Sequence, residues 1–301
     1  MIEKLQSQFG IDGAARFERA EGDLIRLAIN TPQAEAHVYL HGAHVSHFQP
    51  AEGAAVLFMS ERSQFGPGKP IRGGVPVCFP WFGVRADEPD APNHGFARHQ
   101  QWNIESVEQT ADGSVCATLQ LDFSDRTRAL WPYEFRLRYV VTVGQTLTMA
   151  IETINGSDQP FKFEQALHTY FAVPDVRRTA VHGLGQAEYL DKVDRHQPKH
   201  QGDAPLKIES ETDRVYIGTE ATCVLEDEVG DRQITIKKSG SNNTVVWNPW
   251  IAKAQRMPDF GDDEWSRMLC IETCNVADHA VTLGAGASHT MSATITVGSR
   301  D

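Results

Sequence analysis

Positive charge is scarce in this chain. Its 28 lysines and arginines face 40 aspartates and glutamates, for a formal net charge of −12. Nucleic acid and anionic membranes bind basic patches, so neither is an expected partner. A small anion remains admissible, because two or three local arginines outweigh a diffuse background that salt screens within about 10 Å. Long apolar runs are missing as well, and no stretch approaches the roughly 20 apolar residues of a membrane-spanning helix. The opening segment MIEKLQSQFGIDGAARFERAEGD carries acids and no apolar run, unlike a secretory leader. The five cysteines, at 78, 116, 223, 270 and 274, are odd in number and contain no CxxC pair. They are expected to be reduced thiols of a cytoplasmic protein. GxxxxGK[ST], a strand-borne GxGxxG, GxSxG and HExxH are all absent, leaving nucleotide, dinucleotide, serine-hydrolase and zincin chemistry without support.

What is present is period-two alternation. In EFRLRYVVTV (134–143), Phe135, Leu137, Tyr139, Val141 and Val143 point one way, while Arg136 and Arg138 point the other. Gly144-Gln145 then turns the chain into TLTMAIETI (146–154), which predicts a hairpin. Further strand candidates cover 24–30, 35–41, 43–49, 101–109, 114–123, 161–171, 214–218, 221–226, 232–238, 244–249, 268–275 and 287–297. Only 1–9, 124–131 and 258–266 have helical character. With 24 glycines, 15 prolines and 41% hydrophobic residues, this predicts an all-β protein. The expected architecture is a large antiparallel β-sandwich with a few short helices, one domain spanning 1–301.

Residues 60–98 break the rhythm, with glycine and proline too dense for long strands. Long ordered loops in compact domains are often functional. Phe79, Trp81, Phe82 and Phe96 would keep this one packed down. Arg72 opens its Gly73-Gly74 turn and Arg98 closes Asn93-His94-Gly95-Phe96. Arginine forks suit phosphate or carboxylate, although spacing alone favours ordinary surface residues. Glycines at such a turn also let backbone approach a ligand closely.

Two other segments carry candidate chemistry. In FKFEQALHTYF (161–171), His168 lies near the end, where a bend or bulge re-aims side chains. A histidine among aromatics is more often structural, and nothing local decides its role. In MLCIETCN (268–275), alternation places Cys270, Glu272 and Cys274 on one face and Leu269, Ile271 and Thr273 on the other. Both faces are mainly apolar, so the segment reads as an interior strand containing a carboxylate. Such a group needs a partner, either a structural arginine or a role as a base with raised pKa. The run HVYLHGAHVSHF (37–48) tempts a metal reading, but strand geometry sets His41 against His44 and His44 against His47. It reads as a hairpin edge.

IRGGVPVCFPWFG (71–83), NHGFAR (93–98), EQALHTYF (164–171), TDRVY (212–216), VVWNPW (245–250) and CIETCN (270–275), taken together and in this order, resemble the glucose-6-phosphate 1-epimerase family of the galactose-mutarotase-like proteins. The resemblance implies a β-sandwich with a sugar cleft across one sheet and no metal or other cofactor. His168 then matches the general acid and Glu272 the general base. His94 and Asp213 match residues that bind sugar hydroxyls, and Arg72 and Arg98 match positions that hold the 6-phosphate. The implied reaction interconverts α and β anomers of a hexose 6-phosphate, with an imidazolium facing a carboxylate. The partner would be a small-molecule sugar phosphate, the protein a monomer. Two alternatives stay open: an aldose 1-epimerase for free hexoses, and a non-catalytic carbohydrate-binding or sensor module.

Overall fold

The computed structural model describes residues 1–85 and 87–300; Ala86, in the long loop, and Asp301 lie outside the described residues. Every strand ladder in it is antiparallel, and two sheets of eight strands dominate. One runs in the order Thr179–His182, Cys223–Asp227, Arg232–Ser239, Ser288–Ser299, Leu147–Asn155, Phe135–Val143, Val115–Asp122 and Asn103–Gln109. The hairpin expected at 134–154 is its centre: Phe135 pairs with Asn155 and Val143 with Leu147.

The second sheet orders Gln197–His200, Glu188–Asp191, Thr212–Ile217, Asn243–Asn248, Met268–Asn275, Gln165–Leu167 and Val77–Cys78, with Tyr170–Ala172 also paired to Met268–Asn275. Leu225, Ile234, Ile236 and Ile295 from the first sheet share one continuous core with Tyr216, Val246, Leu269 and Ile271 from the second. This is the β-sandwich that alternation predicts. A four-stranded sheet, Ala15–Arg19 to His44–Pro50, flanks it. No described helix is long and apolar enough to cross a membrane.

Boundaries follow local chemistry. Ile2–Phe9 and Asp125–Leu130 are helical, the latter started by a capping box between Ser124 and Thr127. The helix expected at 258–266 reduces to a turn at Glu264–Arg267, because Pro258 and Gly261 interrupt it. A short helix forms instead at Trp250–Ala254. Six strands escape alternation: Ala15–Arg19, Val77–Cys78, Thr179–His182, Glu188–Asp191, Gln197–His200 and Val281–Leu283. All have five residues or fewer, too short for a period to register. Gln197–His200 contains Pro198 and is an edge strand, where proline is tolerated.

The predicted strand 161–171 is three pieces, Phe161–Phe163, Gln165–Leu167 and Tyr170–Ala172. The last break falls at His168-Thr169: the His168 N–H still donates to the Pro76 carbonyl beside Val77–Cys78, but the Thr169 N–H turns back to the Leu167 carbonyl. The chain is thereby re-aimed at the residue that matters. The loop 60–98 contains only Val77–Cys78 and a 3-10 turn at Ala97–His99, and it packs down through buried Phe79, Trp81 and Phe96. Its Gly73 and Gly74 do not approach an open ligand space. Both have positive φ (110° and 57°) and lie on strand backbone, where a side chain would strike the Phe58 and Val45 carbonyls.

A buried ion pair ties the first sheet to the second. Arg232 Nε donates to Asp227 3.1 Å away, and its Nη atoms donate to the carbonyls of Ala54, Ala55 and Ala172. Arg232→Met would leave the fully buried Asp227 carboxylate without its cation. It is expected to lower unfolding stability by about 3–5 kcal/mol in denaturant titration, whereas a change near zero would show the pair to be dispensable.

Candidate active site

Cross-strand register builds the floor of a cleft. Val215 pairs with Val245 and Val245 with Glu272; one step along, Asp213 pairs with Trp247 and Trp247 with Cys270. Directly opposed residues share a face, so Asp213, Val215, Val245, Trp247 and Glu272 point the same way. All five line a cleft of about 600 Å³, and Phe82, Gly83, Asn93 and His94 with Lys192, Lys253 and Arg72 form its walls. Leu269 and Ile271, on the opposite face, join the core.

His168 and Glu272 meet here. His168 Nε2 stands 3.4 Å from Glu272 Oε1, with the two side chains only 8% and 1% exposed. Burial is the largest influence on both. It holds the His168 imidazole well below its ordinary pKa, with the Arg98 and Arg72 cations adding to the effect, and it pushes the Glu272 carboxyl well above the usual range, with Asp213 adding repulsion. Burial thus favours a neutral imidazole beside a protonated carboxyl over the imidazolium–carboxylate pair that the resemblance implies. Both forms hold the same number of protons and differ only in where one proton sits.

His94 borders His168, their rings 5.4 Å apart edge to face. Its φ of +62° is unusual for a bulky residue, and the loop holds it there on both sides. The His94 N–H donates to Gly83 O at 2.8 Å, and the Gly83 N–H donates to His94 Nδ1 at 3.2 Å. Since Nδ1 accepts, the neutral ring carries its proton on Nε2. Burial, followed by the Arg98 charge, favours the neutral ring by holding its pKa well below the ordinary value. His94 is thus a neutral hydrogen-bond donor.

The two arginines diverge. Arg72 lines the cleft, bound to Asp259 at 3.0 Å and donating to Tyr170 Oη at 2.9 Å. Arg98 does not line it: buried behind the wall, it donates through Nη2 to the Asn93 carbonyl at 2.6 Å. It therefore supports the backbone next to His94 and lends its charge from behind, so direct contact with a phosphate is not the role its position favours. Asp213 lies on the floor with Lys192 3.6 Å and Lys253 3.7 Å from its two carboxylate oxygens.

Four titratable residues of the lining escaped sequence reasoning: Glu164, Lys192, His196 and Lys253. Glu164 accepts from the Phe82 N–H at 2.8 Å and the Ala277 N–H at 2.7 Å, clamping the loop to the sheet. It opens the EQALHTYF motif, so it was within reach of the sequence. Lys192 follows Glu188–Asp191, one of the strands too short to detect, and Lys253 lies on the unexpected helix Trp250–Ala254. In the histidine run, His41 Nε2 is bound to the Lys69 carbonyl, His44 is buried under Gly74, and His47 lies 3.5 Å from Glu35.

Residues 25–296 match the aldose 1-epimerase family model. The chain belongs to the aldose 1-epimerase family. Among its relatives, proteins from Escherichia coli K12 and Cenchrus ciliaris both bear the name "Putative glucose-6-phosphate 1-epimerase". The first is 36% identical over 85% of each chain, and the second is 34% identical over 83% of this chain and 78% of the relative. The solved structure of YeaD from Salmonella typhimurium superposes with a TM-score of 0.90 at 31% identity, covering all of both chains. A galactose mutarotase-like protein from Clostridium acetobutylicum, at 14% identity, shares the fold with a TM-score of 0.75 over 95% of this chain and 98% of its own.

The shared proton sets an expected pH dependence. Adding a second proton, to His168, requires pH well below the ordinary histidine value, because its pKa is depressed; removing the shared one, from Glu272, requires pH well above the ordinary carboxylate value, because its pKa is raised. Anomer exchange is therefore expected to follow a bell in kcat/KM whose acid limb lies below the ordinary histidine value and whose alkaline limb lies above the ordinary carboxylate value. An acid limb centred at or above the ordinary histidine value would contradict the neutral resting pair.

Proposed function

We propose that this protein interconverts the α and β anomers of a hexose 6-phosphate, D-glucose 6-phosphate first among them, by acid–base opening and closing of the sugar ring. The reading is carried by one observation: an imidazole and a carboxyl 3.4 Å apart on the floor of a cleft whose walls carry Arg72, Lys192 and Lys253. The names of the relatives support the same substrate.

Ring opening removes the proton from O1 while O5 gains one; C1 then rotates about C1–C2, and closure on the other face reverses both transfers. Glu272, ionised once its proton has passed to His168, takes the O1 proton, and His168 delivers one to O5. Each positioned catalyst of this kind contributes typically 10²- to 10⁴-fold. The neutral His94 Nε2–H donates to oxygen on which charge grows, without itself losing a proton. Asp213, between its two lysines, orients hydroxyls. The 6-phosphate is met by Arg72 with Lys192 or Lys253, and Arg98 acts by holding the His94 loop. The enzyme hastens the approach to the anomer ratio and leaves the ratio itself unchanged.

Polarimetry or exchange NMR starting from one pure anomer of glucose 6-phosphate tests this. Glu272→Gln is expected to slow the wild-type rate by at least about 100-fold; equally slow relaxation in both proteins would refute the reading. A second comparison separates phosphorylated from free sugars. Arg72→Ala should raise KM for glucose 6-phosphate by about tenfold or more, as loss of a charge-assisted hydrogen bond requires, with little change for glucose. Arg98→Ala should instead lower kcat for both sugars. If Arg72→Ala affects glucose and glucose 6-phosphate alike, the free-hexose epimerase is the better description.

A further inference from the structure

Three donor atoms of different chemistry converge beneath the cleft. One each from His168, Cys270 and Glu272 lies within 4.8 Å of the other two. Register brings them together: Cys270 and Glu272 are two apart on one strand and so share its face, and Cys270 pairs with Tyr170, two residues beyond His168. All three residues are buried, Cys270 completely. Buried polar atoms nearly always find a partner, yet Glu272 Oε2 and His168 Nδ1 have none among the described residues. The free Cys270 thiol has no part in the proton transfers above.

We infer that His168, Cys270 and Glu272 form an inhibitory site for a divalent cation of the zinc class. Nitrogen, sulfur and carboxylate oxygen are the donors this class takes, with three protein ligands and a fourth position left open. Bonds of about 2.1 Å at tetrahedral angles separate a nitrogen and an oxygen ligand by about 3.4 Å. The separation of His168 Nε2 and Glu272 Oε1 is 3.4 Å. The sulfur, within 4.8 Å of the other two donors, needs to close in by about an ångström, and His168 and Glu272 both line the cleft. Binding displaces two protons to solvent, the Cys270 thiol proton and the one shared by His168 and Glu272, and the cation takes their place. Magnesium and calcium, which prefer all-oxygen sets, are poorly matched to this trio. The cation occupies the lone pairs of both acid and base and so stops proton transfer; that inhibitory effect rests on the proposed function, whereas the binding itself does not.

The test uses the whole protein, stripped with EDTA and titrated with Co²⁺ as a spectroscopic probe and Zn²⁺ by calorimetry. A thiolate-to-cobalt absorption band in the near ultraviolet is expected, together with one zinc bound per chain. Cys270→Ser, which keeps the packing, should abolish the band and weaken zinc by at least about tenfold, while Cys274→Ser preserves both. Saturating glucose 6-phosphate should suppress the band in the wild type, a readout that needs no variant to fold. In the anomer assay zinc should inhibit the wild type, reversibly with EDTA, and Cys270→Ser should resist it. No thiolate band in the wild type, or equal zinc affinity in wild type and Cys270→Ser, would overturn the site. A thiolate band in a protein that does not hasten anomer exchange would uphold the site and defeat the proposed function instead.

Discussion

A carboxyl and an imidazole 3.4 Å apart, both almost sealed from water, form the interaction on which the rest of the structure depends. Removing two ionisable groups from solvent penalises their charged forms, which favours neutral partners with one proton between them. Keeping it there demands rigid surroundings. Glu272 is in the middle of an interior strand whose eight residues are all buried, and His168 is at a break in the adjoining segment. The sandwich is in this sense a scaffold for withholding water from two side chains.

The wall of the cleft meets the same demand by different means. A loop with little regular structure would be mobile were it not pinned at several points. Glu164 holds it at Phe82, Trp81 Nε1 donates to the Pro92 carbonyl, and Arg98 donates to the Asn93 carbonyl. At Gly95, with φ of +75°, the chain passes so close to the Phe79 carbonyl that any side chain would collide. Between these anchors His94 is kept at a backbone angle it would not otherwise choose, with its tautomer set by a backbone N–H. Charge is handled similarly: Arg98 bears on both histidines from behind the wall, while Arg72, Lys192 and Lys253 face the space a substrate would fill.

Alternation along the chain was enough for the long strands, because a period of two is visible over eight or nine residues such as Phe135–Val143 and Met268–Asn275. The same periodicity placed Cys270, Glu272 and Cys274 on one face, which the register confirms for Cys270 and Glu272. Strands of three or four residues left no periodic trace, and with them went Lys192. Gly73 and Gly74 were visible as a turn, but that they pack on strand backbone and not on a ligand depends on segments distant in sequence.

By itself, then, the sequence determined the β architecture, the long loop and the identity of the residues that could exchange protons or bind an anion, since these depend on composition and short-range pattern. Only the tertiary structure decided how deep each of them lies and what faces it. It turned Arg98 from a presumed phosphate ligand into a buried support, set His94 as a neutral donor, and joined Cys270 to the acid–base pair. The physical reason is that burial and electrostatic environment are sums over neighbours brought in by the fold, and no local window contains them.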